Sequence, residues 1–322
     1  AMVPRAAGRT ELAFVTRVPT CVGEIAAAAS GELRSHDQLI WLSRLDLEIE
    51  NVRAALNHLL DKEPTRAVGM VVALRDYWLY SYRHVEGEAW LQRALALADR
   101  TDAATRVDLQ TALGIMLQYR NKPAEAARLL EAAEQEAAPL GDPRRLAWVV
   151  MWQAAAKASL YSADEIPSLW PRARASVEAL RQAGDLPGVT QALNIYGEIL
   201  RIAGDLDTAE ATYLELIPIA EEIGDFRRVV YQYTNLATLA YERRDAAGMR
   251  RYARLGLPLS LRYHVEETAA YFLAKVALLS LWSGRAEMAG RFIGAADRWY
   301  EEVSVVAQAS DIPTERRMRA EV

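Results

Sequence analysis

A spacing of about 40 residues between helix-ending phrases constrains the fold of this chain more than any other feature. Five phrases follow one another at intervals of 40, 43, 40 and 39 residues. Glycine tolerates the left-handed conformation that ends many helices, and aspartate is a preferred N-cap for the next helix. The phrases are Thr101-Asp102, Gly141-Asp142, Gly184-Asp185, Gly224-Asp225 and Tyr263-His264. A regular period of this length predicts a repeat architecture.

A second break divides most repeats near the middle. These breaks are 121–123, 162–164, Gly204-Asp205, Arg244-Asp245 and Gly284-Arg285. Between the breaks Ala, Leu, Arg and Glu dominate, and no run alternates with the period of two that strands require. Each repeat is therefore predicted to be a hairpin of two helices, each of about 15 to 18 residues, that stacks on its neighbours.

The interior of the repeats resembles the tetratricopeptide pattern. A small residue in the first helix is followed by an alanine and a bulky residue in the second. The three best matches are Gly114, Ala126 and Leu130; Gly197, Ala209 and Tyr213; and Ala277, Ala289 and Ile293. Small residues are needed where two helices cross closely, and the bulky residue fills the space beside them. The resemblance implies an all-α tetratricopeptide-like solenoid, a right-handed superhelix of helical hairpins without a sheet.

Other parts of the chain fit this pattern less closely. The unit 226–262 has Met249 where alanine is expected, and the unit 143–183 carries Pro167 and Pro171 early in its second helix. We predict three regions: an N-terminal helical segment over 1–62, about six hairpins over 63–302, of which the first pairs 64–82 with 86–99, and a C-terminal extension over 303–322. The stretch Asp311 to Val322 is expected to end without a capping helix, as in a truncated array.

Residues 38–99 carry a more specific resemblance, to the start of the tetratricopeptide region in large bacterial STAND-type ATPase regulators. These include MalT-like LuxR-type activators and the antibiotic regulatory proteins. The matching segments are Trp41–Leu45, Glu48–Leu56, Trp78, Glu86–Leu91 and Arg93–Ala96. A later segment, Arg291–Asp297, resembles the end of the same region. The resemblance implies that Trp78 packs in the core with Trp90. It also implies a sensor region attached to an ATPase domain and a DNA-binding domain.

The sequence itself contains neither of those two domains. No Gly-x-x-x-x-Gly-Lys-Ser/Thr phosphate loop is found, and no basic recognition helix is evident. The formal net charge is −5, whereas a domain that binds DNA is usually basic. We therefore expect this chain to bind neither ATP nor nucleic acid directly. Its single cysteine, Cys21, allows no internal disulfide and fits a reducing cytoplasm; no membrane span is expected.

No arrangement of residues predicts catalysis. The four histidines, at positions 36, 58, 84 and 264, lack the spacing of a metal site. Neighbouring acidic residues such as Glu221 and Glu222 point in different directions on a helix and cannot form a carboxylate pair. The chain is therefore predicted to be no enzyme, with no catalytic residue, no metal site and no cofactor.

The first helices of tetratricopeptide hairpins line a concave groove, and the repeat register selects the residues that face it. The predicted partner-binding residues are Tyr119, Asn194, Glu198, Arg201, Tyr231, Tyr241, Tyr271 and Trp282. Ordinary helix packing explains the same residue types, so that alternative stays open. The expected partner is a protein, a peptide or a small-molecule effector, and a second copy of the chain is a further candidate. A stand-alone scaffold is the alternative to a sensor in a transcriptional regulator.

Overall fold

The computed structural model describes residues 7–97, 99, 101–162, 164–303 and 312–322, and over these ranges the chain is helical without any strand. In chain order the helices are α1 (Ala7–Glu32), α2 (Gln38–Lys62), α3 (Pro64–Ala73), α4 (Arg75–Tyr80), α5 (His84–Leu95), α6 (Ala103–Tyr119), α7 (Pro123–Ala137), α8 (Pro143–Ala158), α9 (Trp170–Gln182), α10 (Leu186–Ile202), α11 (Leu206–Ile223), α12 (Phe226–Glu242), α13 (Ala246–Arg262), α14 (Glu266–Trp282), α15 (Ala286–Val303) and α16 (Ile312–Glu321). No helix in these ranges is long and apolar enough to cross a bilayer.

Successive helices pack as hairpins. Helix α6 packs on α7, α8 on α9, α10 on α11, α12 on α13 and α14 on α15, and each second helix also contacts the first helix of the next hairpin. This confirms the predicted all-helical tetratricopeptide-like fold. The division into three regions stays a prediction. Residues 1–6, 98, 100, 163 and 304–311, which belong to predicted segments or turns, lie outside the described residues.

The predicted turn chemistry is confirmed at the hairpin boundaries. The carboxylates of six aspartates accept a hydrogen bond from a backbone N–H in the first turn of the following helix: Asp102, Asp142, Asp185, Asp205, Asp225 and Asp245. Gly184 and Gly224 adopt φ values of 68° and 79°, a left-handed conformation that costs glycine little. The periodic phrases are therefore helix stop and start signals.

The close-crossing register is also confirmed. A Cβ atom on Gly114 would lie 2.7 Å from Leu130 Cγ, and one on Gly197 would lie 2.3 Å from Tyr213 Cε1. Tyr213 is fully buried, so the bulky residue of each pair fills the space that the glycine leaves. Trp78 is fully buried and Trp90 is 7% exposed, as the resemblance implied.

Three expectations from the sequence require correction. The predicted helix 64–82 is divided at Leu74 into α3 and α4. Pro167 lies in a short 3₁₀ turn before α9 and not in the helix, whereas Pro171 stands in the first turn of α9 as expected. Proline lacks an N–H donor and is best tolerated in a first helical turn. The segment near the C-terminus, expected to lack a helix, forms α16.

A buried ionic cluster links the turn after α1 to α4. Asp76 accepts hydrogen bonds from Arg34 Nε at 2.8 Å and from Arg75 Nε at 2.8 Å. The side chains of Arg34 and Asp76 are only 6% and 5% exposed. Both guanidinium groups lie over the ring of Trp148 in α8, at 5.1 and 5.2 Å. The two arginines hold the pKa of Asp76 well below its ordinary value, against the opposing effect of burial.

The helices curve so that distant turns meet. The ring centroid of His36, before α2, lies 5.7 Å from that of Phe226 at the start of α12. Phe226 in turn stacks on Tyr263 at 4.6 Å. The hydroxyl group of Tyr82, in the turn before α5, donates a hydrogen bond to Glu267 in α14 and accepts one from Arg227 in α12. The inner face of the array is therefore closed into a cavity.

Candidate functional site

The central cavity, of about 290 Å³, lies on the inner face of the array. The first helices of five hairpins line it, α6, α8, α10, α12 and α14, together with the segment from Leu79 to Val85 and helix α16. This matches the expectation that first helices face the groove. A cavity near 300 Å³ is at the lower end of the range for ligand pockets.

Five of the eight predicted partner-binding residues line the central cavity: Tyr119, Asn194, Glu198, Tyr231 and Tyr271. The amide oxygen of Asn194 accepts a hydrogen bond from Gln232 Nε2 at 2.9 Å. The other three, Arg201, Tyr241 and Trp282, lie outside the cavity lining. Whether the five contact a partner stays a prediction.

Arg201 is buried and paired within the chain. Its guanidinium lies 2.7 Å from Glu198 Oε2 and 3.3 Å from Glu242 Oε1, and its side chain is 4% exposed. The structure places the pair of Arg201 and Glu198 inside the array. Removing one member of a buried ion pair leaves the other uncompensated, so Arg201 contributes to stability before any role in binding.

Arg227 and Arg228 form a positively charged part of the cavity lining that was not predicted from the sequence. We call this pair the arginine wall. Arg227 and Arg228 are 4% and 7% exposed and line the central cavity. Arg228 donates a hydrogen bond to Gln191, and the Arg227 guanidinium lies over the rings of Tyr80 and Tyr82 at 5.3 and 5.2 Å. Both arginines stand in the first turn of α12, where the helix dipole disfavours positive charge. This unfavourable placement of two positive charges at a helix N-terminus is the sequence feature from which the pair could have been predicted.

Several polar atoms of the cavity wall lack a hydrogen-bond partner among the described residues. They are the donors Tyr80 Oη, Trp152 Nε1, Arg227 Nε and Arg228 Nε, and the acceptor Gln118 Oε1. A buried polar group left unsatisfied costs about 1–3 kcal/mol. The excess of donors suits a ligand that brings acceptor oxygens. Tyr80 and Trp152 carry no other polar side-chain atom, so their only hydrogen-bonding capacity is unused.

Glu267 is the buried carboxyl group of the same wall, 4% exposed. It accepts hydrogen bonds from the hydroxyl groups of Tyr82 and Tyr231, and Arg227 Nη2 lies 3.3 Å from its Oε1. Burial raises the pKa of Glu267 to about 8, while the neighbouring guanidinium acts in the opposite direction. Lys275, 1% exposed, also lines the cavity.

We expect Glu267→Gln to alter how stability depends on pH. A carboxyl group whose pKa is raised by folding keeps a proton that the unfolded chain releases. Its contribution to stability is therefore full below its ordinary pKa of 4.5 and is lost as the pH rises toward 8. The melting temperature of the wild type should fall relative to that of the variant across this window. Parallel curves for the two proteins would contradict the raised pKa, and Glu131→Gln on the exposed face of α7 is the control.

Helix α16 covers one end of the groove. Tyr241, Arg244 and Trp282 surround the carboxylate of Glu321 near its end. Met318 is 4% exposed and lines the central cavity with Thr314. The predicted contact residues Tyr241 and Trp282 therefore bind a segment of the chain itself. Within the described residues, no group of three or more His, Cys, Asp or Glu side chains is placed to hold a metal ion.

No family model and no curated protein matches the chain, but several solved structures share its architecture. A Rap protein complexed with competence and sporulation factor is 9% identical with a TM-score of 0.62, covering 95% of this chain and 97% of that one. Aspartyl phosphate phosphatase F from Bacillus subtilis is 12% identical with a TM-score of 0.60, covering 95% and 77%. A STAND protein with a tetratricopeptide repeat sensor from Pyrococcus horikoshii is 15% identical with a TM-score of 0.59, covering 85% and 42%. The chain thus shares the tetratricopeptide-like helical repeat fold of these proteins.

Proposed function

We propose that the chain is a non-catalytic binding module that takes an acidic segment of a peptide or protein in its central cavity. The pair Arg227 and Arg228 carries this proposal, because two buried guanidinium groups face the cavity and each has an unpartnered Nε donor. Arginine suits the planar oxygen pairs of carboxylates. Further support comes from α16, a peptide segment already held in the groove, and from the similar Rap protein, solved as a complex with competence and sporulation factor.

A small anionic effector is the second candidate for the same cavity. The volume of about 290 Å³ favours it, since this is space for a small molecule or for one or two peptide side chains. The two candidates share the chemistry of carboxylate recognition and differ in size. A screen with both classes of compound therefore distinguishes them.

We further propose that partner binding controls an attached ATPase and DNA-binding module, as in the MalT-like regulators that residues 38–99 resemble. The similar fold of the archaeal STAND protein, whose repeats are described as a sensor, supports this role. The coding sequence next to this region should then encode a Gly-x-x-x-x-Gly-Lys-Ser/Thr phosphate loop. If it encodes none, the stand-alone scaffold is the better reading.

Filter binding of ATP and duplex DNA to this chain should show no micromolar affinity.

Arg228→Gln is expected to weaken binding to the cavity about tenfold or more, equivalent to about 1.4 kcal/mol. The variant keeps a hydrogen-bonding side chain but loses the charge that would pair with a carboxylate. Pools of acidic hexapeptides and a panel of small dicarboxylates are first screened by thermal shift against the wild type. The dissociation constants of the compounds that bind are then measured by calorimetry for both proteins.

The matched control is Arg250→Gln, which removes one positive charge from an exposed position on α13. Its affinity should equal that of the wild type. Equal affinity of Arg228→Gln and Arg250→Gln would remove the arginine wall from the site. Failure of every acidic compound to raise the melting temperature would contradict the proposed function as a whole.

A further inference from the structure

The carboxylate of Glu321 is held by three donors from two hairpins. Tyr241 Oη donates at 2.8 Å to Oε1, while Arg244 Nη1 at 2.6 Å and Trp282 Nε1 at 3.4 Å donate to Oε2. We call Tyr241, Arg244 and Trp282 the carboxylate clamp. Both oxygens of Glu321 are thus occupied. All three bonds end on a charged carboxylate, and the bond from Arg244 joins two charged groups, which makes these bonds stronger than neutral ones.

The three clamp residues also contact one another, independently of Glu321. The rings of Tyr241 and Trp282 stack with centroids 6.3 Å apart at 13°, and the Arg244 guanidinium lies over both, at 5.8 and 5.3 Å. Its contacts with both rings limit the directions that the guanidinium can take. The clamp is therefore organised to receive an acceptor at one place on the groove.

The backbone at Arg244 adopts a left-handed conformation that is uncommon for residues other than glycine; among the described residues Tyr82, Asn121 and His264 share it. The φ of Arg244 is 56°, and the equivalent turns of the neighbouring hairpins have Gly204 and Gly284, at φ 84° and 76°. A side chain other than glycine in this region carries a conformational cost and is found most often where the side chain has a role. At Arg244 that role is the contact with the groove, since the guanidinium meets Tyr241, Trp282 and Glu321.

Helix α16 is too short to be a stable helix by itself. It has ten residues, and an isolated helix shorter than about 12 residues is marginal in water. Among the side chains of α16 that the structure describes, Met318 is buried and apolar, and the polar contacts include Thr314 and Arg317 with Glu242 and Arg319 with Asp297. Arg317 is 58% exposed, where ion pairs contribute about 0–1 kcal/mol. Tethering to the chain supplies an effective concentration on the order of millimolar.

We propose that the carboxylate clamp is a binding site for an acidic helical segment of a partner protein, which α16 fills within the chain through Glu321. This inference rests on the proposed function and adds a way in which binding to the groove is regulated. A partner segment that places a carboxylate in the clamp displaces α16. Because Thr314 and Met318 of α16 line the central cavity, the displacement also opens the cavity. The free chain is thus held in a self-occupied state.

The probe is a fluorescein-labelled peptide with the sequence of residues 311–322, added to the full chain. The double variant Met318→Asp/Glu321→Lys removes the apolar contact and places a positive charge beside Arg244, so it should release α16. Fluorescence anisotropy should show the labelled peptide binding to this variant at least tenfold more tightly than to the wild type. Adding Arg244→Ala and Trp282→Ala to the double variant should abolish that binding, and a Glu321→Gln peptide should bind at least tenfold more weakly.

Circular dichroism of each variant verifies that the array remains folded, and the milder full-chain variant Glu321→Gln replaces the double variant if it does not. Equal affinity of wild type and released chain for the labelled peptide, or no binding to the released chain, would overturn the inference. The arginine wall is tested separately, because Arg228→Gln should leave binding of this peptide unchanged. If the labelled peptide fails to bind through the clamp while an acidic ligand still binds in an Arg228-dependent way, the clamp proposal is refuted and the proposed function is not.

Discussion

Gly197→Trp is expected to unfold the hairpin of α10 and α11. The first side-chain atom added at this position would already lie 2.3 Å from Tyr213 Cε1, inside a fully buried seam. Overpacking of a core commonly costs about 1–3 kcal/mol, and an indole adds far more atoms than the seam can take. Thermal and urea unfolding, followed by circular dichroism, should show a large loss of the cooperative transition.

A pair of alanine substitutions gives this prediction a matched control. Gly290 lies on the exposed side of α15, with open space where its Cβ would be. Gly290→Ala should raise stability by up to about 1 kcal/mol, because glycine is a poor helix former. Gly197→Ala should lower stability despite the same gain in propensity. A stabilised Gly197→Ala variant would show that the two helices do not cross at this residue.

The second large effect is expected for Asp76→Asn. The substitution leaves Arg34 buried without its carboxylate, and breaking a buried ion pair by removing one partner costs about 3–5 kcal/mol. Arg75 loses the same partner. Urea unfolding should show a lower midpoint. Because the pKa of Asp76 is depressed in the folded chain, its contribution is present above its ordinary value of 3.8 and is lost as the pH falls further.

Glu287→Gln is the control for Asp76→Asn. Glu287 pairs with Arg291 one helical turn away on α15, and the two side chains are 83% and 78% exposed. An exposed pair of this kind contributes about 0–1 kcal/mol. Similar midpoints for the two variants would mean that the Asp76 carboxylate is hydrated and not buried between its arginines.

Local signals account for what could be predicted of the fold. Asp142, Asp185 and Asp225 act through bonds to atoms three residues away, and Gly197 faces Tyr213 only sixteen positions on, so each is readable in a short window. The break at Leu74 was not readable in this way, because no proline or glycine marks it.

The site was predictable only in part, because its pieces come together from distant segments. The register placed Asn194 and Tyr231 on the inner face, where they lie. Arg227 was missed because its partners, Tyr82 and Glu267, are 145 and 40 residues away. Helix α16 was missed because its burial depends on the groove into which it folds, where Met318 is buried.

The contacts of His36 with Phe226 and of Tyr82 with Arg227 bear on how the chain folds and unfolds. A solenoid whose repeats touch only their neighbours can lose its ends one repeat at a time. Here the early turns are tied to α12, so fraying of the first hairpins exposes the middle of the array as well. Contacts between residues so far apart in sequence also raise the contact order, which slows folding. We therefore expect amide protons of α2, α5 and α12 to exchange through a shared opening event. Refolding should also be slower than that of an open array of equal length.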